Sequence, residues 1–213
     1  MIKNKNFVFK KQPPAIKLII IDLYGVMSFG SYKNTCQWLC RRYGFDYEAC
    51  YQIVYHKYFC QAAARQISER RSFVLTAREL KIKESGEELR RRHLSYHVLN
   101  RSVFNWALAR KKQGYQVVLV SKNTPPQFRH LVAKYSLKDN FKVINTYYLD
   151  IDKKSPKMLK YILGKYRLRP EQVLMVDDQD FNLDYPKKAG SKTILYKNFS
   201  QFKQKVDKIL KTN

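Results

Sequence analysis

No stretch of the 213-residue chain holds the roughly 18 consecutive apolar residues that a membrane-crossing helix needs, so no membrane partner is expected. The opening segment, MIKNKNFVFKKQPP, is basic but lacks the apolar core and small-residue cleavage site of a secretory signal, and a cytoplasmic location is the expectation. The four cysteines, Cys36, Cys40, Cys50 and Cys60, form no CxxC pair and have no histidines at finger spacing. That argues against a zinc site and for reduced core thiols. Internal repeats and low-complexity linkers are missing, which excludes solenoids and arrays. Acidic residues are scarce: 17 Asp and Glu stand against 42 Lys and Arg, a formal net charge of +25. Such a field attracts nucleic acid, anionic surfaces and phosphorylated small molecules alike. The charge is spread along the whole chain, however, which equally suits a generally basic surface with no nucleic-acid partner. Hydrophobic residues make up 45% and aromatic residues 14%, enough to bury a core and to exclude global disorder.

What is present is an alternation. Five apolar runs, IKLIIID (16–22), QVVLVS (116–121), FKVIN (141–145), QVLMVDD (172–178) and KTILY (192–196), read as buried parallel strands, because they are branched and apolar without alternating. Helical stretches at about 101–113, 125–135, 155–166, 182–188 and 200–210 separate or follow them. Strands alternating with helices predict an α/β fold with a Rossmann-like, doubly wound parallel sheet. Residues 28–98 break the rhythm and read as helices throughout, too long for one crossover. They predict an inserted helical cap subdomain over the sheet's C-terminal edge, with 1–27 and 99–213 forming the core. Asp46 and Ser85 are candidate N-caps, and Gly44 and Gly86 candidate turns.

The chemistry gathers at strand ends. Asp22 closes the first strand just before Tyr24 and Gly25, although an aspartate there also serves as a turn former. Ser121, followed by Lys122 and Asn123, could hold a phosphate with its hydroxyl and with N–H groups at the next helix start, or could simply cap that helix. Lys153 precedes a helix opening at Ser155–Pro156 and could neutralise a phosphoryl group, though in so basic a chain it also suits a solvated surface. Asp177 and Asp178 end an apolar strand side by side, an arrangement that repels itself unless a cation such as Mg²⁺ compensates; Asp178 or Asp180 could instead cap a helix. Four such positions at successive strand ends converge on one cleft, suited to nucleophilic attack by Asp22 with a metal and a lysine offsetting negative charge.

These residues resemble the haloacid dehalogenase-like hydrolase superfamily over nearly the whole chain. KLIIIDLYGV is similar to its first motif, VVLVSKN to its second through Ser121, and Lys153 to its third-motif lysine, with Pro156 kept and Lys154 in place of the first proline. VDDQDFNLDYPKKAG resembles its fourth motif, with Asp177, Asp178, Asn182, Ala189 and Gly190 in register. The resemblance implies a Rossmann-like core with a helical cap, and Mg²⁺ held by Asp22, Asp178 and the backbone carbonyl of Tyr24, with Asp177 in support. The departure is Tyr24, where phosphatases of the superfamily carry a second aspartate as general acid and base. The superfamily's true dehalogenases have tyrosine there but use no metal and lack the acidic pair.

Three expectations follow. The first is a Mg²⁺-dependent hydrolase of a small phosphorylated metabolite, suited to good leaving groups; the second is a dehalogenase; the third is a non-catalytic relative whose basic surface binds an anionic partner such as RNA. The histidines His56, His93, His97 and His130 show no metal-ligand spacing. Tyr51, Tyr55, Tyr58 and Phe59 fit cap packing better than a stacking platform. Arg70, Arg71, Arg90, Arg91 and Arg92 could form an anion-recruiting rim or a solvated face.

Overall fold

The run Leu18–Ile21 has no polar side to turn toward water, and the chain answers by burying both of its faces. In the computed structural model, which describes residues 15–211, the strands are β1 (Leu18–Asp22), β2 (Ser28–Phe29), β3 (Val98–Leu99), β4 (Gln116–Ser121), β5 (Lys142–Asn145), β6 (Val173–Asp177) and β7 (Lys192–Leu195). Five of them form one parallel sheet in the order β5-β4-β1-β6-β7. The helices are α1 (Ser31–Tyr43), α2 (Tyr47–Tyr51), α3 (Cys60–Ala63), α4 (Glu69–Glu79), α5 (Gly86–Ser95), α6 (Arg101–Lys112), α7 (Pro125–Lys134), α8 (Leu137–Asn140), α9 (Pro156–Tyr166), α10 (Asp184–Lys188) and α11 (Phe199–Lys211). Side chains alternate across β1. Ile19 and Ile21 join Val103, Trp106, Phe128, Leu131 and Phe202, from α6, α7 and α11. Leu18 and Ile20 join Met158, Leu159 and Ile162 from α9 on the other face. This is the doubly wound α/β architecture expected.

The segment between β1 and α6 leaves the sheet through β2 and returns through β3, and these two strands pair antiparallel. Residues 28–98 are therefore not helical throughout, because the two chain crossings stabilise each other as a short ladder. Between them α1–α5 surround their own apolar cluster, which includes Tyr32, Cys36, Leu39, Phe73 and Leu89. Asp46 caps α2 by accepting from the Ala49 N–H at 2.8 Å, and Ser85 with Glu88 closes a capping box on α5. Gly44 ends α1 in a left-handed conformation. Gly86 is not a turn: it opens α5, where a Cβ would meet the backbone of Val74 at 2.7 Å, so it sets how closely α4 and α5 pack. Cys36 and Cys50 are buried free thiols, whereas Cys60 is exposed rather than core. The 1–14 part of the expected 1–27 core segment lies outside the described residues.

Candidate active site

β1 lies between β4 and β6, so the side chains that end these three strands meet at the centre of the sheet's C-terminal edge. Open α/β sheets bind ligands at this switch point, where neighbouring crossovers diverge. Asp22, Ser121 and Asp177 arrive there as the last residues of β1, β4 and β6, all buried. Lys153 comes from the loop before α9 and is 6% exposed, which overturns its reading as a solvated surface lysine. Its ammonium donates to Asp22 Oδ1 and lies 2.6 Å from Asp177 Oδ2. Asp177 Oδ1 accepts from the Asn182 side chain and from the Gln179 N–H, each at 3.0 Å, which fixes the loop after β6. Neither Asp178 nor Asp180 caps a helix.

The carboxylates of Asp22, Asp177 and Asp178 bring oxygens within 4.8 Å of one another. Burial raises the Asp22 carboxyl well above its ordinary pKa; Lys153 opposes that rise, while Asp177 and Asp178 add to it. Asp178 is pushed up to about 6, by burial and then by Asp177. Burial alone would lower the Lys153 ammonium, but Asp22 and Asp177 outweigh it and hold the group charged. One lysine is thus set against three acids. Asp22 Oδ2 is buried without a hydrogen-bond partner, a costly state that a cation would relieve. An all-oxygen donor set of this kind fits a hard divalent ion such as Mg²⁺.

Gly25 makes the approach of the acidic pair possible. Its φ is +110°, and a Cβ on it would lie 2.3 Å from the Asp178 carboxyl, so the carboxyl occupies the place a side chain would fill. The loop carrying it is closed by the Gly25 N–H to Ser28 carbonyl bond at 2.6 Å and the Met27 N–H to Asp22 carbonyl bond at 3.1 Å. Asn100, at the start of α6, holds the same loop through the Val26 and Met27 carbonyls, both at 2.9 Å.

Above this floor lies a cleft of about 290 Å³ lined by Asp22, Tyr24, Ser121, Lys122, Asn123, Lys153 and Asp178, with Tyr55, Phe59 and Cys60 from the helical insertion. The Tyr24 hydroxyl accepts from Ser31 Oγ at 3.0 Å and from the Tyr32 N–H at 3.2 Å, and burial raises its pKa to about 12. Lys122 pairs with Asp152 at 3.2 Å. The expectation that N–H groups at the start of α7 would hold a phosphate is corrected. The Gln127 N–H and the Thr124 hydroxyl both donate to Glu69 of α4, and the Asn123 N–H donates to Asn145 at 3.2 Å. Nor does Ser121 cap α7; Thr124 is the cap position and its side chain makes no capping bond.

A sequence model of haloacid dehalogenase-like hydrolases matches residues 37–196. The chain belongs to the haloacid dehalogenase-like hydrolase family. The match spans Ser121, Lys153, Asp177 and Asp178 but begins after Asp22 and Tyr24. Similar folds include a predicted haloacid dehalogenase-like hydrolase of Porphyromonas gingivalis, at TM-score 0.70 and 18% identity, covering 92% of this chain and 98% of that one. A family enzyme of Bacteroides thetaiotaomicron, solved with magnesium and inorganic phosphate, aligns at TM-score 0.66 and 18% identity over 88% and 99%. The L-2-haloacid dehalogenase of Xanthobacter autotrophicus aligns at 0.61 and 19% over 84% and 76%. At these identities the likeness is one of fold. No curated protein matches the chain in sequence.

Within this haloacid dehalogenase-like fold all eight expected site residues line or underlie one cleft, Asp177 from below. The five arginines of the expected rim do not line it: Arg90 pairs with Glu69 at 2.7 Å, Arg70 with Glu87 at 3.5 Å, and Arg92 stacks on Trp38. Sequence reasoning missed Asn145, Asp152 and Glu69, and it placed Tyr55 and Phe59 in cap packing without giving them a place in the cleft. Asn145 was detectable as the polar end of a third strand; a carboxylate reaching from α4 to α7 had no local signal.

Proposed function

We propose that this haloacid dehalogenase-like hydrolase cleaves small phosphomonoesters by nucleophilic attack of Asp22, with Mg²⁺ as its cofactor. The carrying observation is the group of Asp22 and Asp177, both buried, and the exposed Asp178 about Lys153, with Asp22 Oδ2 left unpartnered. Asp22, Asp178 and the backbone carbonyl of Tyr24 would hold the ion, while Asp177, already engaged by Asn182 and Gln179, supports the loop. Bound there, Mg²⁺ supplies positive charge that offsets the phosphoryl oxygens. Lys153 favours the ionised form of the nucleophile and orients it, and Ser121 and Lys122 bind phosphate oxygens. We read α1–α5 as the cap that excludes water from the cleft. The acidic pair weighs against a metal-free dehalogenase, which has no use for it.

The test is release of phosphate from acetyl phosphate and phenyl phosphate, with and without Mg²⁺, by the wild type and Asp22→Asn. Metal-dependent turnover that falls to background in Asp22→Asn is expected. Turnover that survives Asp22→Asn, or a wild type inert toward both compounds, contradicts the proposal and turns attention to the +25 surface and an RNA partner.

A further inference from the structure

Two features of the cleft remain unused by that reading. The first is its wall. The segment Gln52–Phe59 is an eight-residue π-helix, a rare form concentrated at functional sites. Its wide turn brings residues four apart nearly into line. Tyr51 and Tyr55 stack with ring centroids 5.1 Å apart and 17° between planes, and Tyr55 and Phe59 with 5.3 Å and 21°. Tyr55 and Phe59 end this ladder in the cleft, and Phe181, from the loop after Asp178, lines it too while 54% exposed. The segment packs on the insertion's core as expected, through Tyr51, Tyr55 and Phe59, and Tyr58 turns away to Glu79, while Tyr55 and Phe59 also line the cleft.

The second feature is the weakness of the proton donor offered to the leaving group. Tyr24 stands where such a donor would be expected, but its hydroxyl, which accepts from Ser31 and Tyr32 at the start of α1, is a weak acid, raised by burial to about 12. Asp152, the other carboxyl in the cleft beyond the metal-binding set, is ion-paired with Lys122. A leaving oxygen here must carry most of its developing charge itself. An aromatic hydroxyl, which ionises near pH 10, does so readily; an alkyl alcohol does not.

We propose that the substrate is a single-ring aryl phosphomonoester, its ring stacked on Tyr55 and Phe59 and its phosphate on Ser121, Lys122 and Lys153. The proposal rests on the phosphohydrolase reading above. Asp22 attacks phosphorus, the bond to the aryl oxygen breaks, and the electron pair leaves on that oxygen as a phenolate, which takes a proton from solvent. Water then attacks phosphorus, the bond to Asp22 breaks, and the carboxylate is restored as both water protons leave on dihydrogen phosphate. The 290 Å³ cleft sits at the small end of ligand pockets, which suits one ring with its phosphate.

The experiment compares kcat/KM for acetyl phosphate, a series of ring-substituted phenyl phosphates and butyl phosphate. It includes the Tyr55→Leu, Phe59→Leu and Tyr24→Asp variants, with calorimetric binding of phenylphosphonate and methylphosphonate alongside. Phenyl phosphates should exceed butyl phosphate by roughly 10²-fold or more, the cost of a missing general acid, and their rates should climb steeply as the phenol becomes more acidic. Tyr55→Leu and Phe59→Leu should raise KM for phenyl phosphate by roughly two- to tenfold and weaken phenylphosphonate binding alike, leaving acetyl phosphate and methylphosphonate unaffected. Tyr24→Asp should raise turnover of butyl phosphate. Acetyl phosphate hydrolysed with no preference for aryl over alkyl esters, or phenylphosphonate binding indifferent to both leucine variants, overturns this inference and leaves the hydrolase standing. Failure to hydrolyse acetyl phosphate and every phenyl phosphate overturns the hydrolase reading itself.

Discussion

A single hydrogen atom at position 25 decides whether the acidic pair can approach the nucleophile. With any side chain there, the Asp178 carboxyl would be displaced from a contact that measures 2.3 Å to a built Cβ, and the φ of +110° would be strained as well. Gly25→Ala is therefore expected to abolish the stabilisation that Mg²⁺ gives in thermal melts and to lower Mg²⁺-dependent turnover by roughly 10²-fold or more, the scale on which small misplacements act. A variant with native circular dichroism and an unchanged response to Mg²⁺ would show that Asp178 does not need this position. Asp22, Ser121, Lys153, Asp177 and Asp178 were legible in the sequence because each sits at or just beyond an apolar strand, or just ahead of a helix start. The glycine's role was not, since the carboxyl it admits comes from just beyond β6, far along the chain. Nor was the burial of Lys153, because only the folded site shows that three carboxylates surround it.

Between elements, the contact of α4 and α5 with α7 is polar where an apolar seam would be usual. Glu69 of α4 accepts from the first turn of α7 and from Arg90, supplying a helix cap from another part of the chain. Tyr32 of α1 also accepts from the Gln127 side chain of α7 at 3.1 Å. His97, just after α5, lies with its ring centroid 5.8 Å from His93 and 6.2 Å from His130 on α7. Three histidines with no sequence signature thus converge at one seam. Burial holds His93 well below the usual imidazole range, with His97 adding to the effect. It lowers His97 to about 3, with His130 and Lys134 adding to it. An ordinary imidazole titrates near 6.5, so between about pH 6.5 and pH 3 the unfolded chain binds the proton that folded His97 refuses. Stability should fall as pH falls through that window, with His97 contributing a slope of about 1.4 kcal/mol per pH unit. His97→Phe keeps a ring and removes the titration. Its melting temperature should decline less than the wild type's between pH 6.5 and pH 5; identical slopes would mean that the buried ring accepts a proton without unfolding.

Across the whole molecule, legibility follows burial. Strands covered on both faces need continuous apolar runs, and all five read correctly to within two residues of their ends. The helical insertion was visible as an interruption, but its inner order was not, because its aromatic residues serve both its own cluster and the cleft wall. The paired crossings β2 and β3 were also hidden, each being only two residues long. The charge of +25 did not resolve into a rim of arginines; at the cleft it is carried by Lys122, Lys153 and Lys154. The central claim is that Asp22 becomes phosphorylated during turnover. It is tested most directly by acid-quenching the protein during steady-state hydrolysis of phenyl phosphate and mapping the phosphoryl group by mass spectrometry. The account predicts a hydroxylamine-labile phosphoryl group on the peptide containing Asp22, missing from Asp22→Asn. Turnover with no phosphorylated Asp22, or with the group on another residue, would contradict it.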